Sequence, residues 1–156
     1  MAILPILAYP DPILQKKSQE IKDPLDPEIQ GLILDMLETM KNCESAVGLA
    51  APQVGKSLQL TTIKLNGKTY ILINPKIKSK SWKKTVKEEG CLSFPGKFIL
   101  VKRSKSVKVV AKNEKGEDVV LKGEDMLARV LQHEIDHLNG ILYIKNEVKP
   151  KKTKSK

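Results

Sequence analysis

Residues 132–137 read Gln-His-Glu-Ile-Asp-His and contain both histidines of the 156-residue chain. On a helix turning about 100° per residue, positions four apart are offset by only about 40°. His133 and His137 therefore project to one side, near enough to share one cation, with Glu134 on the neighbouring flank. This is the H-E-x-x-H pattern, in which imidazoles hold a metal and the carboxylate handles the proton of a coordinated water. So short a pattern also recurs by chance on ordinary helices. Here Glu134 lies in line with Leu127, Leu131 and Leu138, where a bare carboxylate is costly to bury. It needs either a partner or a use for a raised pKa. Two imidazoles also leave a hydrolytic metal site one protein ligand short. Downstream stands Glu147; upstream stands Cys91, within Glu89-Gly90-Cys91-Leu92-Ser93. A thiolate is a strong metal ligand, and Gly90 would let the backbone come close to whatever it touches.

The elements that must position these groups can be read from pattern. Asp26 is a good N-cap and Pro27 suits a first helical position. Ile29, Leu32, Ile33, Met36, Leu37 and Met40 then follow at helical spacing, fading near Lys41–Asn42. Strand-like residues 58–65 meet 68–73 across Asn66-Gly67, a two-residue hairpin signal. Val107, Val109 and Ala111 alternate with polar residues and are answered by Val119 and Leu121, a second hairpin. The helix carrying the histidines runs from about Glu124 to Asn139 and stops at Asn139-Gly140. Residues 1–25 are extended or looped, and 76–87 are a lysine-rich stretch without an assigned element. Helices at both ends of antiparallel hairpins make an α+β domain, with sheets packed around the C-terminal metal-binding helix. The catalytic unit is expected over 1–148, followed by a disordered Lys-rich tail over 149–156 with five lysines in eight residues.

Composition narrows the class further. There is no apolar run of bilayer length, and the N-terminus lacks the basic start and cleavage site of a leader. A cytoplasmic protein without a membrane partner is expected. Cys43 and Cys91 are then free thiols or ligands, with Cys43 a packing residue. The formal net charge of +10 suits attraction to RNA or acidic surfaces, or simply solvation. No aromatic residue is read as interleaved with the lysines, so a base-stacking surface is not expected.

Three separated segments, Ala46-Val47-Gly48-Leu49-Ala50-Ala51-Pro52-Gln53, Glu89 to Ser93 and Gln132 to His137, resemble in kind and order the three motifs of the peptide deformylases. The resemblance spans roughly residues 3–146. It departs at Ala46, where the family has glycine, and after Tyr143, where a Lys-rich tail replaces a terminal helix. The resemblance implies removal of the formyl group from the formyl-methionine of new polypeptides. It implies Cys91, His133 and His137 as ligands of one Fe²⁺, for which Zn²⁺, Ni²⁺ or Co²⁺ can substitute. Glu134 would be the general base and acid, with the Gln53 side chain and the Leu92 N–H stabilising the oxyanion. Val47, Gly48, Glu89, Gly90, Leu92, Met126, Arg129, Val130 and His133 would bind or border the substrate. The Arg129 stem would lie on the pocket rim with its head in water. Arg103 and Asp136 would pair behind the metal helix. Nascent formyl-Met peptides are the expected partners, with transient ribosome contact through the basic surface, no DNA, and a monomeric state. The competing readings are a metallopeptidase with a third ligand other than Cys91, and a non-catalytic protein docking on ribosomal RNA.

Overall fold

A computed structural model describes residues 2–149 of the chain. From residue 150 onward the expected tail lies outside the described residues. The elements are helix α1 (Pro27–Lys41), strands β1 (Gly48–Ala50), β2 (Leu60–Leu65), β3 (Lys68–Lys80), β4 (Lys84–Cys91), β5 (Phe94–Ser104), β6 (Ser106–Lys112) and β7 (Asp118–Glu124), and helix α2 (Asp125–Leu138). All strand pairings among them are antiparallel. Five strands form one sheet in the order β1-β2-β3-β6-β7, and β4-β5 form a separate ribbon. The α+β expectation is met. No helix among the described residues is long and apolar enough to cross a membrane.

Helix α1 begins as its cap residues require: the Asp26 carboxylate accepts from the Glu28 N–H at 2.8 Å, with Pro27 leading the first turn. Its stripe buries Leu32, Ile33, Met36 and Met40 against Leu49, Leu60 and Ile73, each burial worth roughly 1.5–3 kcal/mol. The next residues along the same strands point the other way. Ile63 and Leu72, with Val107 and Val109, pack against Ala128, Leu131 and Ile135 of α2. Strand alternation thus splits one sheet between two helices, α1 on one face and α2 on the other. The β2–β3 turn is Asn66-Gly67, both residues at positive φ (53° and 76°), as the two-residue hairpin demands.

Two stretches differ from expectation. Strand β3 does not stop near residue 73 but continues to Lys80, pairing with β6 through two register shifts. The β4–β5 ribbon was not legible because apolar residues lie on both of its faces and charges lie on its inner one. Val86, Phe98 and Leu100 are exposed, while Glu89 and Arg103 are buried. A period-two search for apolar residues facing a core fails on such a hairpin. Its inner face also carries Ile99 and Val101, packed with Leu14, Phe94, Leu142 and Tyr143. One further expectation fails here. Trp82, between Ser81 and Lys83, is an aromatic residue among lysines, and it is 100% exposed.

Candidate metal centre

The β4–β5 ribbon and α2 bring the chemistry together. Cys91 ends β4, while His133 and His137 sit one turn apart on α2. Their three ligand-capable atoms lie within 4.8 Å of one another. Cys91 Sγ is 3.2 Å from His137 Nε2, and the two imidazole centroids are 5.1 Å apart. Both cysteines are free thiols, so nothing ties Cys91 to Cys43. Glu147 is not in the group; it bridges to Val101 across the ribbon edge.

The donor set fits a transition-metal cation. One sulfur and two imidazole nitrogens converge. The His133 Nδ1 lies 2.9 Å from Glu89 Oε1, which fixes the ring and turns Nε2 inward. The electrostatics agree. Burial pushes His133 down, but hydrogen bonds to Cys91 and Glu89 and the Glu134 charge outweigh it and lift the imidazole to about 10. Burial, then the positive charges of His133 and Arg103, drive His137 well below its ordinary value. The two rings are thus held unlike, with His137 kept in the neutral form in which an imidazole binds a metal.

Glu134 is held apart from these ion pairs. It is 4% exposed, and its Oε1 is buried without a hydrogen-bond partner among the described residues. Burial lifts its carboxyl to about 7, against the opposing pull of His133 and Arg103. What places it is Gly48 on the edge strand β1. A Cβ at that position would stand 2.5 Å from Glu134 Oε2 and 2.8 Å from its carboxyl carbon. Only glycine lets β1 lie against this carboxylate.

Gln53 is 1% exposed. Its Oε1 accepts from the Ala50 N–H at 2.9 Å, which fixes the amide so that Nε2 donates to Ser93 Oγ at 3.1 Å. The same nitrogen lies 3.7 Å from Cys91 Sγ. The N-terminal segment straps these parts together, with the Leu7 N–H donating to Gln53 O and the Tyr9 N–H to Ser93 O.

A cavity of about 570 Å³ opens beside the cluster. Val47, Gly48, Glu89, Gly90, Leu92, Met126, Arg129, Val130 and His133, all expected at the substrate site, border it. Three expectations about how they do so change. Gly90 does not make room for the thiolate's partner; a Cβ there would meet the Phe98 ring at 2.6 Å, so the glycine lets Phe98 fold over the ribbon. The Glu89 carboxylate is turned into the ion pairs under α2. Arg129 does not reach water: it is 4% exposed. Its Nη1 donates to Glu89 Oε2 at 2.6 Å and Val101 O at 2.8 Å, and its Nη2 to Thr85 O at 2.8 Å. One turn before His133, the side chain passes beneath the metal helix, where a buried guanidinium needs a carboxylate. Only its stem is left for the cavity.

Arg103 pairs with Asp136 at 2.7 Å, as expected, and also grips Glu89 through Nε and Nη2, each at 3.0 Å. Sequence reasoning did not assign Gln132, Ser93 or Tyr143. Gln132 exchanges hydrogen bonds with both backbone groups of Ser104 (3.1 and 2.9 Å), pinning α2 to β5. Tyr143 is 1% exposed, with its ring 5.6 Å from that of His133. Gln132, inside the histidine hexapeptide, carried a signal; Tyr143 carried none.

A family model for polypeptide deformylase matches residues 3–154. The chain belongs to the polypeptide deformylase family. It is 46% identical over 144 residues to peptide deformylase 1 of Clostridium acetobutylicum, covering 92% of this chain and 94% of that one. It is 45% identical over 149 residues to the peptide deformylase of Clostridium botulinum, covering 96% and 99%. The crystal structure of the Thermotoga maritima peptide deformylase superposes with a TM-score of 0.90 at 39% identity, covering 96% of this chain and all of that chain. That of Synechococcus elongatus, in complex with actinonin, gives 0.89 at 38% identity, covering 94% and 79%. The deformylase fold and the Cys-His-His cluster thus occur in one chain.

Proposed function

We propose that this family member, a metal-dependent hydrolase, removes the formyl group from the N-terminal formyl-methionine of new polypeptides. One observation carries the reading: three soft-to-borderline donors converge within 4.8 Å at the mouth of an apolar cavity, beside a carboxylate lifted to about 7. Cys91, His133 and His137 would hold the cation, Fe²⁺ in this reading, with Zn²⁺, Ni²⁺ or Co²⁺ as substitutes. When bound, it supplies Lewis acidity, making a water nucleophilic near neutral pH and polarising the formyl oxygen.

The chain's own residues do the rest. The open edge of β1 receives the substrate backbone as an added strand at Val47 and Gly48. The methionine side chain enters the cavity between Val47, Leu92, Met126, Val130 and the Arg129 stem. Glu134 takes a proton from the attacking water as its oxygen bonds to the formyl carbon. The negative charge on the formyl oxygen meets the Gln53 amide and the Leu92 N–H. Glu134 then delivers its proton to the amine as the C–N bond breaks, giving formate and a free amino terminus. A carboxyl near 7 is suited to both transfers. The enzyme works in this reading as a cytoplasmic monomer, touching the ribosome transiently through its basic surface.

The test is formate release from a short formyl-Met peptide by metal-replete, anaerobically prepared protein. Release that vanishes in Cys91→Ala together with bound metal is expected. No formate, or cleavage of unformylated peptides by a Cys91→Ala variant that keeps its metal, overturns the reading in favour of an ordinary metallopeptidase.

A further inference from the structure

A second cavity, about 660 Å³, lies across α2 from the metal site. Ile135 and Asp136 of α2 and its C-cap Asn139 border it, whereas Arg129, Val130 and His133 border the first. Its other wall is the part of β3 beyond Ile73, where β2 no longer pairs and one strand edge is open. Lys17, Lys76, Lys78 and Lys80 stand around it. From Lys76 to Lys84 the chain carries five lysines and no acid. Of the two acids on the rim, Asp136 is committed to Arg103 at 2.7 Å, leaving Glu20.

At the end of β3 stands Trp82, fully exposed. Its turn is not loose. The Ser81 N–H donates to Ser106 O, the Ser106 N–H to Ser81 Oγ, and the Lys105 N–H to Lys83 O, all between 2.9 and 3.0 Å. The indole is held out from a pinned hairpin with lysines on both sides.

We propose that this groove and Trp82 form one track for single-stranded RNA, with the lysines on the backbone and a base stacked on the indole. Stacking platforms joined to a cationic groove are how proteins hold single strands without reading sequence. A bilayer would gain little here, because the neighbours of Trp82 are lysine and serine rather than further exposed apolar side chains. An acidic peptide would use the charges and leave the indole idle. The choice of RNA over DNA rests on the deformylation reading, since substrates of that reaction emerge from RNA-rich machinery; the binding itself does not depend on catalysis.

Trp82 is the only tryptophan in the chain, so its fluorescence reports this site alone. The full-length protein is titrated at low salt with a single-stranded oligo(A) RNA. Saturable quenching is expected, with fluorescently labelled RNA giving the same midpoint by anisotropy. In a Lys76→Gln/Lys78→Gln/Lys80→Gln variant the salt dependence should lose about 2 from its log–log slope, at roughly 0.7 per phosphate contact. Trp82→Ala should weaken binding roughly tenfold by anisotropy. Formate release from a short formylated peptide should stay at the parent rate in both variants, which separates failure here from failure of the catalytic reading. Matching single-stranded DNA should quench comparably, since lysines and an indole do not read the sugar. No quenching by RNA, binding unchanged in the lysine variant, or quenching by anionic phospholipid vesicles but not RNA would each overturn the proposal. So would displacement of RNA by polyglutamate at equal charge concentration.

Discussion

Glu89→Gln is the perturbation that reaches furthest into this site. The carboxylate receives four donors: Arg103 Nε (3.0 Å) and Arg129 Nη1 (2.6 Å) on Oε2, Arg103 Nη2 (3.0 Å) and His133 Nδ1 (2.9 Å) on Oε1. Glutamine keeps the shape, removes the charge and turns one acceptor into a donor. With the NH₂ at one position it confronts Arg103 Nε and Arg129; at the other, Arg103 Nη2 and His133. Either way two N–H groups lose their acceptor. Arg103 retains Asp136, and Arg129 retains only the neutral oxygens of Val101 and Thr85. Breaking a buried pair in this manner costs about 3–5 kcal/mol, which for a domain of this size lowers Tm by roughly 6–20 °C.

The pH dependence gives a second estimate of the same quantity. Burial alone would raise the Glu89 carboxyl, but the hydrogen bond from His133, then those from Arg103, bring it from 4.5 to about 2. Stability from a carboxyl held low in the folded state is present above its unfolded value near 4.5 and lost as pH falls through about 2. A drop of about 2.5 units corresponds to about 3 kcal/mol, inside the range from pair breaking. Urea unfolding followed by far-UV circular dichroism checks both, because the fully exposed Trp82 is a poor probe of packing. Glu89→Gln should lose most of the difference at pH 7 and show a flatter stability profile between pH 4.5 and 2. A variant within about 2 °C of the parent Tm, equivalent to under about 1 kcal/mol, with the same acid limb would refute the account of Glu89 as the charge that keeps two arginines buried.

Gly48→Ala should displace Glu134, because the new Cβ falls 2.5 Å from Oε2; formate release should then drop about 10²-fold or more with bound metal unchanged, and an unaltered rate would show that β1 does not position this carboxylate. Gln53→Ala removes a proposed oxyanion donor and should lower kcat by about 10²–10³ with KM little affected; a change in KM alone would move Gln53 from the reaction to substrate binding. Added Zn²⁺ at a hundredfold above its Kd should stabilise the parent by about 2.7 kcal/mol and leave Cys91→Ser unmoved in a thermal melt. Equal stabilisation of both would place the cation elsewhere.

What could be read from sequence divides along a physical line. Helix α1 and the β2–β3 and β6–β7 hairpins were legible because their buried positions are apolar and recur at the element's own period, with Asp26, Pro27 and Asn66-Gly67 marking the ends. The His133–His137 pair was legible by residue type and spacing, whereas the third ligand lay open between Cys91 and Glu147 until the resemblance to the deformylases pointed to Cys91, whose sulfur the structure brings to the rings. The β4–β5 ribbon obeys neither rule. It turns Val86, Phe98 and Leu100 outward and sets Glu89 and Arg103 inward beside Ile99 and Val101, so no hydrophobic alternation marks its inner face. Trp82 escaped for the same reason in reverse: one aromatic residue in a lysine run looks incidental until a pinned turn is seen to hold it in solvent.

The charges on that inner face have a cause in the metal helix. Residues 128–135 of α2 are all buried, so their polar side chains cannot be solvated, and all but Glu134 find partners in the layers beside the helix. The sheet offers an apolar face, which takes Ala128, Leu131 and Ile135. The ribbon must then offer what His133, Arg129, Gln132 and Asp136 need. It does so with the Glu89 carboxylate, the Val101 carbonyl, the Ser104 backbone and the Arg103 guanidinium. A ribbon with ordinary polarity, apolar inward and charged outward, would leave Arg129 buried without its counter-charge and His133 free to rotate out of register with Cys91. The ribbon partners of Arg129, Gln132, His133 and Asp136 lie 28 to 44 residues upstream, beyond the reach of any local pattern, and the charges on the ribbon make sense only once the helix is laid across it.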